Sequence, residues 1–163
     1  MSADRRKLAC QVAWKCHGKP YLWGGDDPSG WDCSGLVQEI LASVGAWPRG
    51  VDTTADGMMG YYEERDCIQE EEEVGQGDVV FFCKQDGRAV HVEFVVDIDD
   101  EGRAYCIGAS GGGSGTTDEE SAWRQNAYVK VRPEDTTHHG LVRVWVDPYF
   151  VGVTSPSKNG NGE

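Results

Sequence analysis

The hydrophobic periodicity of the sequence changes once along the chain, and this change limits the folds that are open to it. Up to about residue 64, apolar residues recur every three or four positions, which is typical of amphipathic helices. After an acidic stretch, short runs rich in β-branched and aromatic residues follow, which is typical of strands. Helices that precede a block of strands predict an α+β domain, with the helices packed on a sheet.

Three helices are predicted in the first part, at residues 4–17, 33–44 and 53–64. The second has the clearest limits, because Asp32 has the short acceptor side chain that caps a helix start and Gly45 is a residue type that ends one. Either Thr53 or Thr54 can cap the third helix. We therefore expect a helix that begins at Cys33.

Five strands are predicted in the second part, at residues 79–83, 90–96, 103–107, 127–132 and 141–146. The stretch 97–102 is polar and ends in glycine, which is the makeup of a hairpin connection and favours antiparallel pairing. A chain of 163 residues is long enough for one core. We expect a single domain at 1–153 with an antiparallel sheet of about five or six strands, followed by a flexible tail at 154–163.

The charge of the chain excludes one class of partner. The formal net charge is −13, and the 15 lysines and arginines are spread thinly, whereas binding nucleic acid through phosphates requires a basic face. No apolar run is long enough to span a bilayer, and no signal-peptide core follows the positive charges near the start. We therefore expect the protein to be synthesised in a cytoplasm.

Cys33 differs from the other cysteines in its position at a predicted helix start. The positive end of a helix and a neighbouring imidazolium both favour a thiolate, which makes Cys33 a candidate nucleophile. The usual role of cysteine, as a small buried hydrophobic residue, is the alternative. The six cysteines form no C-x-x-C pair, so a structural zinc site is poorly supported, and reduced, mostly buried thiols are expected.

A cysteine nucleophile needs an imidazole to take and return a proton, and the chain has four histidines. His17 ends the first predicted helix, where a cation has a structural role. His138 and His139 lie in a polar turn and are interpreted as surface residues. His91 opens a predicted strand and is the remaining candidate for the base, with a strand-end histidine bound by the backbone as the alternative.

Four blocks of sequence carry a family resemblance. They are Pro-Tyr-Leu-Trp-Gly-Gly at 20–25, Trp-Asp-Cys-Ser-Gly-Leu-Val-Gln at 31–38, Gly-Asp-Val-Val-Phe-Phe at 77–82 and His-Val at 91–92. In this order the blocks resemble the NlpC-type family of papain-like cysteine peptidases. The resemblance implies a papain-like fold and hydrolysis of peptide stems of bacterial peptidoglycan, at the γ-amide bond of D-glutamate. It also implies Cys33 as nucleophile, His91 as general base, and no metal or organic cofactor.

The resemblance leaves the third catalytic residue open. In the family, a polar group that fixes the imidazole often lies on the strand after the base strand, and the matching position here is Gly108, which has no side chain. Glu93 is one substitute, because side chains two apart on a strand share a face. Ser110, beside the vacated position, is another. A backbone carbonyl or a water molecule is the remaining alternative.

Other site residues follow from the same blocks. Tyr21 matches a family tyrosine expected to help hold the oxyanion or the substrate, and the N–H of Cys33 is the natural first oxyanion donor. Asp32 and Ser34 match residues that hold the free amine of a peptide stem, with capping alone as the alternative for Asp32. The candidate substrate contacts also include Ser110 and Trp23, and the latter is interpreted, like Trp31, as a wall of the core or cleft.

Two other functions and one question of delivery stay open. A related amidase group cuts a different wall bond, as N-acetylmuramoyl-alanine amidases do, but the Trp-Gly-Gly and Asp-Cys-Ser-Gly blocks argue against it. A non-catalytic structural or binding protein that retained the fold is supported only by Gly108. A wall enzyme of this kind would need a delivery partner, from phage or secretion machinery, as for a phage lysin, a tail-associated hydrolase or a bacterial effector.

Overall fold

The computed structural model describes residues 2–150 of the chain. Within them lie four helices, α1 (Ser2–Lys15), α2 (Cys33–Ser43), α3 (Ala55–Glu63) and α4 (Glu119–Arg124). The strands are β1 (Asp26–Asp27), β2 (Gly30–Trp31), β3 (Ile68–Gln69), β4 (Val79–Cys83), β5 (Ala89–Ile98), β6 (Ala104–Ser110), β7 (Tyr128–Pro133) and β8 (Val142–Val146). The predicted tail at 154–163 and the predicted domain end at 151–153 lie outside the described residues.

The main sheet has six strands in the order β3-β8-β4-β5-β6-β7, and every neighbouring pair is antiparallel. Strands β1 and β2 form a separate small hairpin. The predicted α+β class is confirmed, and each of the five predicted strands is present with small changes at its ends. The predicted hairpin connection at 97–102 joins β5 to β6.

Four of these elements were not predicted, because each is too short to show a period: β1, β2, β3 and α4. Strand β3 has two residues, which pair with the end of β8 and supply the sixth strand. Helix α4 has six residues, and only Ser121 and Ala122 are buried. Asp118 caps α4 by accepting a hydrogen bond from the N–H of Ser121 at 2.8 Å. A capping residue without a following apolar stripe is a weak helix signal.

Helix α2 is the element that positions the site. Asp32 caps it by accepting the N–H of Gly35 at 2.8 Å, and Gly45 follows its end with a φ of 77°, a conformation that suits glycine. Its apolar stripe is fully buried against β5 and β6 and consists of Leu36, Val37, Ile40 and Leu41. Burial of this stripe fixes the helix, and with it the position of Cys33 in the first turn.

A partly buried ion-pair network ties α1 to the sheet. Arg6 donates to Asp78 at 2.6 Å and to Asp147 at 2.7 Å, and these carboxylates lie just before β4 and just after β8. The Asp78 side chain is 1% exposed and is also hydrogen-bonded to Gln69 and to the N–H of Gly75. None of the helices in residues 2–150 is long and apolar enough to cross a membrane.

Candidate active site

Cys33 is the first residue of α2 and the most accessible of the six cysteines. Its side chain is only partly buried, whereas the other five cysteines are buried. For Cys10 and Cys67, burial raises the pKa of the thiol to about 11. The buried thiols therefore remain protonated at neutral pH, and Cys33 is the one at a helix start.

His91 lies near the start of β5, within hydrogen-bonding reach of Cys33. Its Nε2 atom is 2.9 Å from Oε2 of Glu93, which leaves Nδ1 as the nitrogen free to meet the thiol. Burial opposes the charged ring, but the hydrogen bonds with Cys33 and Glu93 outweigh it, and the pKa of His91 is raised. The three side chains thus form a continuous polar chain from sulfur to carboxylate.

Glu93 is the buried end of this series of three polar side chains. Its side chain is 1% exposed, and a carboxylate so deeply buried is stable only when it is paired. Burial raises its pKa, whereas the nearby His138 ring and the hydrogen bond with His91 lower it, and the net shift is downward. The carboxylate is therefore ionised at neutral pH and can hold the His91 ring in one tautomer.

Gly108 leaves the space that the Glu93 carboxylate occupies. A Cβ atom built on Gly108 would lie 2.6 Å from Cγ and 2.7 Å from Oε2 of Glu93, which is far inside van der Waals contact. The carboxylate of β5 therefore fills the place where a side chain of β6 would otherwise stand. Of the two predicted substitutes, Glu93 contacts the imidazole, whereas the hydroxyl of Ser110 accepts a hydrogen bond from Arg132 at 2.9 Å.

Two further residues surround the carboxylate, and the sequence analysis missed both. Arg132 Nη2 lies 3.5 Å from Glu93 Oε2, and His138 Nε2 lies 3.7 Å from the same oxygen. The interpretation of His138 as a surface residue is wrong, because its ring centroid is 4.2 Å from that of His91. His139 is exposed, as expected, and His17 is exposed just after the end of α1. A buried Glu93 needs cationic partners, and a search for such partners in the sequence would have pointed to Arg132 and His138.

Tyr21 also lies close to Cys33. Burial raises the pKa of its hydroxyl to about 12, with the charges of Cys33 and Asp32 as further causes. The hydroxyl therefore stays protonated and can donate a hydrogen bond at neutral pH. The ring packs tightly against Gly112, where a Cβ atom would lie 2.4 Å from Cδ1 of the tyrosine.

The remaining predicted residues have mixed surroundings. Asp32 caps α2 as described, and its carboxylate also accepts from the Ser34 hydroxyl at 3.4 Å. Burial raises the pKa of Asp32 in spite of these hydrogen bonds, and nearby Asp52 adds to the effect.

Trp31 is a core residue, whereas Trp23 is 57% exposed and open to a ligand. A surface cleft runs beside α2 past Gln38 and Trp47, but neither Cys33 nor His91 lines it.

One group of side chains in residues 2–150 could together hold a metal ion. It consists of His91, Glu93 and His138, whose ligand atoms all lie within 4.8 Å of one another. Because His91 and Glu93 already share a hydrogen bond, their approach needs no metal to explain it.

The sheet, the capped helix that begins with cysteine, and the histidine on the second central strand together define a papain-like domain. The NlpC/P60 family profile matches residues 18–132, and the chain belongs to the NlpC/P60 family. Members of this family are peptidoglycan hydrolases and generally cysteine peptidases, although some are non-catalytic.

One known protein resembles the chain in sequence and two solved structures resemble it in fold. The bifunctional muramidase/DL-endopeptidase CwlT of Bacillus subtilis (strain 168) is 38% identical over 99 residues, which are 58% of this chain and 28% of CwlT. The NlpC/P60 domain of the peptidoglycan hydrolase SagA is 23% identical, with a TM-score of 0.59 over 87% of this chain and 97% of that domain. The peptidoglycan hydrolase RipB of Mycobacterium tuberculosis is 22% identical, with a TM-score of 0.61 over 90% of this chain and 65% of RipB. The two solved structures establish the shared fold.

Proposed function

We propose that this domain is a cysteine peptidase that hydrolyses peptide stems of bacterial peptidoglycan through a thioester. The observation that carries the proposal is the polar chain Cys33–His91–Glu93, which begins at the first turn of α2 and ends in a buried, ionised carboxylate. A nucleophile, a base that contacts it and a third group that orients the base are the arrangement that acyl transfer requires.

The reaction follows from the positions of these groups. His91 takes the proton of the Cys33 thiol, and the sulfur attacks the carbonyl carbon of the scissile amide. The oxygen of the resulting tetrahedral intermediate is held by the N–H of Cys33 and the hydroxyl of Tyr21. His91 then gives its proton to the leaving amine, the C–N bond breaks, and a thioester remains. Water, deprotonated by His91, cleaves the thioester, and the thiol recovers its proton as the acid leaves.

The proposed substrate is a stem peptide cut at the γ-amide bond of D-glutamate. The family and the DL-endopeptidase CwlT support this choice. Asp32 and Ser34 would receive the free amine of the stem, because a partly buried carboxylate beside a cationic amine forms a charge-assisted hydrogen bond. Trp23 would offer an exposed aromatic face at the rim. Ser110 is buried and bound to Arg132, so we assign it to support of the site and not to the substrate.

Mass analysis of digested wall peptides tests the proposal. Purified peptidoglycan treated with the wild-type protein should release fragments with a new amino terminus after D-glutamate, and Cys33→Ala should release none. Cys67→Ala is the matched control, because it removes a buried thiol whose hydrogen-bond partners are the carbonyls of Arg65 and Phe150 and not His91. Equal fragments from wild type and Cys33→Ala would end the proposal.

A non-catalytic protein is the second candidate function, and its sequence support was the missing side chain at Gly108. The contact of Glu93 with His91, in the space above Gly108, argues against this candidate because it supports Glu93 as the third group. The same digestion separates the two candidates, because a binding protein would retain the wall peptides without releasing fragments.

A further inference from the structure

The turn that carries His138 is held in place by a single guanidinium. Arg143 of β8 donates hydrogen bonds to the carbonyls of Glu134, Thr137, His138 and Leu141, and it forms an ion pair with the Glu134 side chain. His138 has a φ of 53°, a conformation that few residues other than glycine adopt, although asparagine, aspartate and histidine adopt it more often than the rest. A conformation of this kind persists only where the surroundings determine it. The Arg143 contacts and the backbone conformation thus fix the direction of the His138 side chain.

That side chain lies against the polar chain of the active site. The His138 ring contacts the ring of Phe82, at 4.5 Å between centroids, and that of His91, at 4.2 Å with a tilt of 34°, and the Phe82 and His91 rings are themselves 5.5 Å apart. Its Nε2 atom is buried, has no hydrogen-bond partner, and lies 3.7 Å from Glu93 Oε2. One imidazole therefore covers a face of the base and points a nitrogen at the carboxylate that orients the base.

We propose that His138 is a positioning residue for the His91–Glu93 pair. The inference rests on the proposed function. The ring blocks rotation of His91 about its side-chain bonds, and its nitrogen, with the Arg132 guanidinium, keeps the Glu93 carboxylate ionised and turned toward His91. The family resemblance predicts the orienting group on β6, whereas here the carboxylate that contacts His91 comes from β5.

The electrostatic surroundings of the pair fit this role. The charged and titratable groups that face it are Cys33 of α2, Cys106 of β6, Lys130 and Arg132 of β7, and Glu134, His138 and Arg143 around the turn. Contact with His138 helps to lower the pKa of Glu93 against the effect of burial. Without it, Glu93 would ionise less readily and would stabilise the His91 imidazolium less.

The test compares three variants of His138. His138→Ala removes the ring and the nitrogen, His138→Phe keeps the ring contacts alone, and His138→Asn keeps a polar side chain of a type that tolerates the positive φ. We measure kcat and KM on wall peptides, and the rate of Cys33 alkylation by iodoacetamide from pH 4 to pH 9. Alkylation reports on the Cys33–His91 pair without any peptidoglycan substrate.

We expect His138→Ala to lower kcat about tenfold with KM unchanged, because a displaced base affects the chemical step. The acid limb of the alkylation profile should move to higher pH, since a weaker imidazolium favours the thiolate less. His138→Phe should recover part of kcat but not the position of that limb. His139→Ala, next to it and exposed, is the control and should match wild type in both measurements.

The outcomes separate the two proposals. If wild type cuts no wall peptide but the alkylation limb still moves in His138→Ala, the substrate assignment fails and the positioning role stands. If His138→Ala and His138→Asn both keep the wild-type limb and kcat while remaining folded by circular dichroism, the positioning role is overturned. If Cys33 of the wild type reacts no faster than the buried thiols, both proposals fail.

Discussion

Glu93 and Gly108 fit each other across the β5–β6 pair, and this fit decides which group orients His91. The space beside the base holds one polar group, and the absence of a side chain at Gly108 allows the carboxylate to enter from β5. Arg132 and His138 then supply positive charge to an anion that has little solvent around it. The third member of the site is thus set by a pair of residues on adjacent strands.

Adding one methyl group at Gly108 should disable the site. In Gly108→Ala the new Cβ atom would lie 2.6 Å from Cγ of Glu93, so the carboxylate must move away from His91. We expect a loss of about 1–3 kcal/mol in the free energy of unfolding and a fall in kcat of about ten- to a hundredfold. Thermal unfolding and steady-state kinetics on wall peptides measure these two effects.

Gly75→Ala is the matched control, because Gly75 has no positive φ and a Cβ atom there meets nothing within 4 Å. It should leave both quantities close to wild type. A folded Gly108→Ala protein with full activity would show that the chemistry does not depend on the position of Glu93.

At this scale the sequence predicts the residues that lie in local patterns. Cys33 follows a helix cap, His91 opens a strand, and Glu93 shares the face of His91 by strand alternation; all three are brought together in the structure. Arg132 and His138 come from a later strand and a turn, and their approach depends on sheet register and on the Arg143 contacts. No local pattern encodes such contacts.

Helix α2 holds Cys33, the proposed nucleophile, in a first turn that is fixed in two ways. The Asp32 cap satisfies an N–H at the start of the helix, and the buried stripe from Leu36 to Leu41 holds the rest against β5 and β6. The confirmed capping role of Asp32 does not exclude a second role toward the substrate amine, because the carboxylate has two oxygens and is only half-buried.

Removing the charge of Asp32 while keeping the cap separates its two roles. Asparagine caps a helix about as well as aspartate, so Asp32→Asn should change the free energy of unfolding by only about a few tenths of a kcal/mol. If the carboxylate holds the stem amine, KM should rise about tenfold with kcat retained, through loss of a charge-assisted hydrogen bond. An unchanged KM would leave Asp32 with the cap alone.

Asp32→Ala and Thr54→Ala form a further comparison at this scale. Both remove a capping side chain that accepts an N–H three residues later, so each should cost about 1 kcal/mol of stability. Only Asp32→Ala should lower kcat, because α3 carries no residue of the polar chain.

The predictability of the elements follows their length and their burial. Long amphipathic or β-rich runs were predicted correctly as helices and strands, because the packing of one face on the core imposes a regular hydrophobic spacing on the sequence. Strand β3 and helix α4 have two and six residues, and their existence depends on pairing with β8 and on the Asp118 cap. The sixth strand is therefore a consequence of tertiary structure that the local sequence does not show.

The whole molecule brings together side chains that are far apart in the sequence. Cys33 comes from α2, His91 and Glu93 from β5, Arg132 from β7, and His138 from the turn before β8. The order of helices and strands was sufficient to predict the α+β class and the meeting of α2 with the sheet. Delivery by phage or secretion machinery stays a prediction, which co-purification of the protein with a carrier would check.

If Cys33 and His91 act as one unit, His91 favours the Cys33 thiolate at pH 6, and the rate of Cys33 alkylation at that pH measures this effect. In the wild type, iodoacetamide should modify Cys33 far faster than the other five cysteines, as peptide mapping by mass spectrometry would show. In His91→Gln, that rate should fall about tenfold or more, to that of an ordinary thiol at this pH. Equal rates for Cys33 in the two proteins would contradict the account.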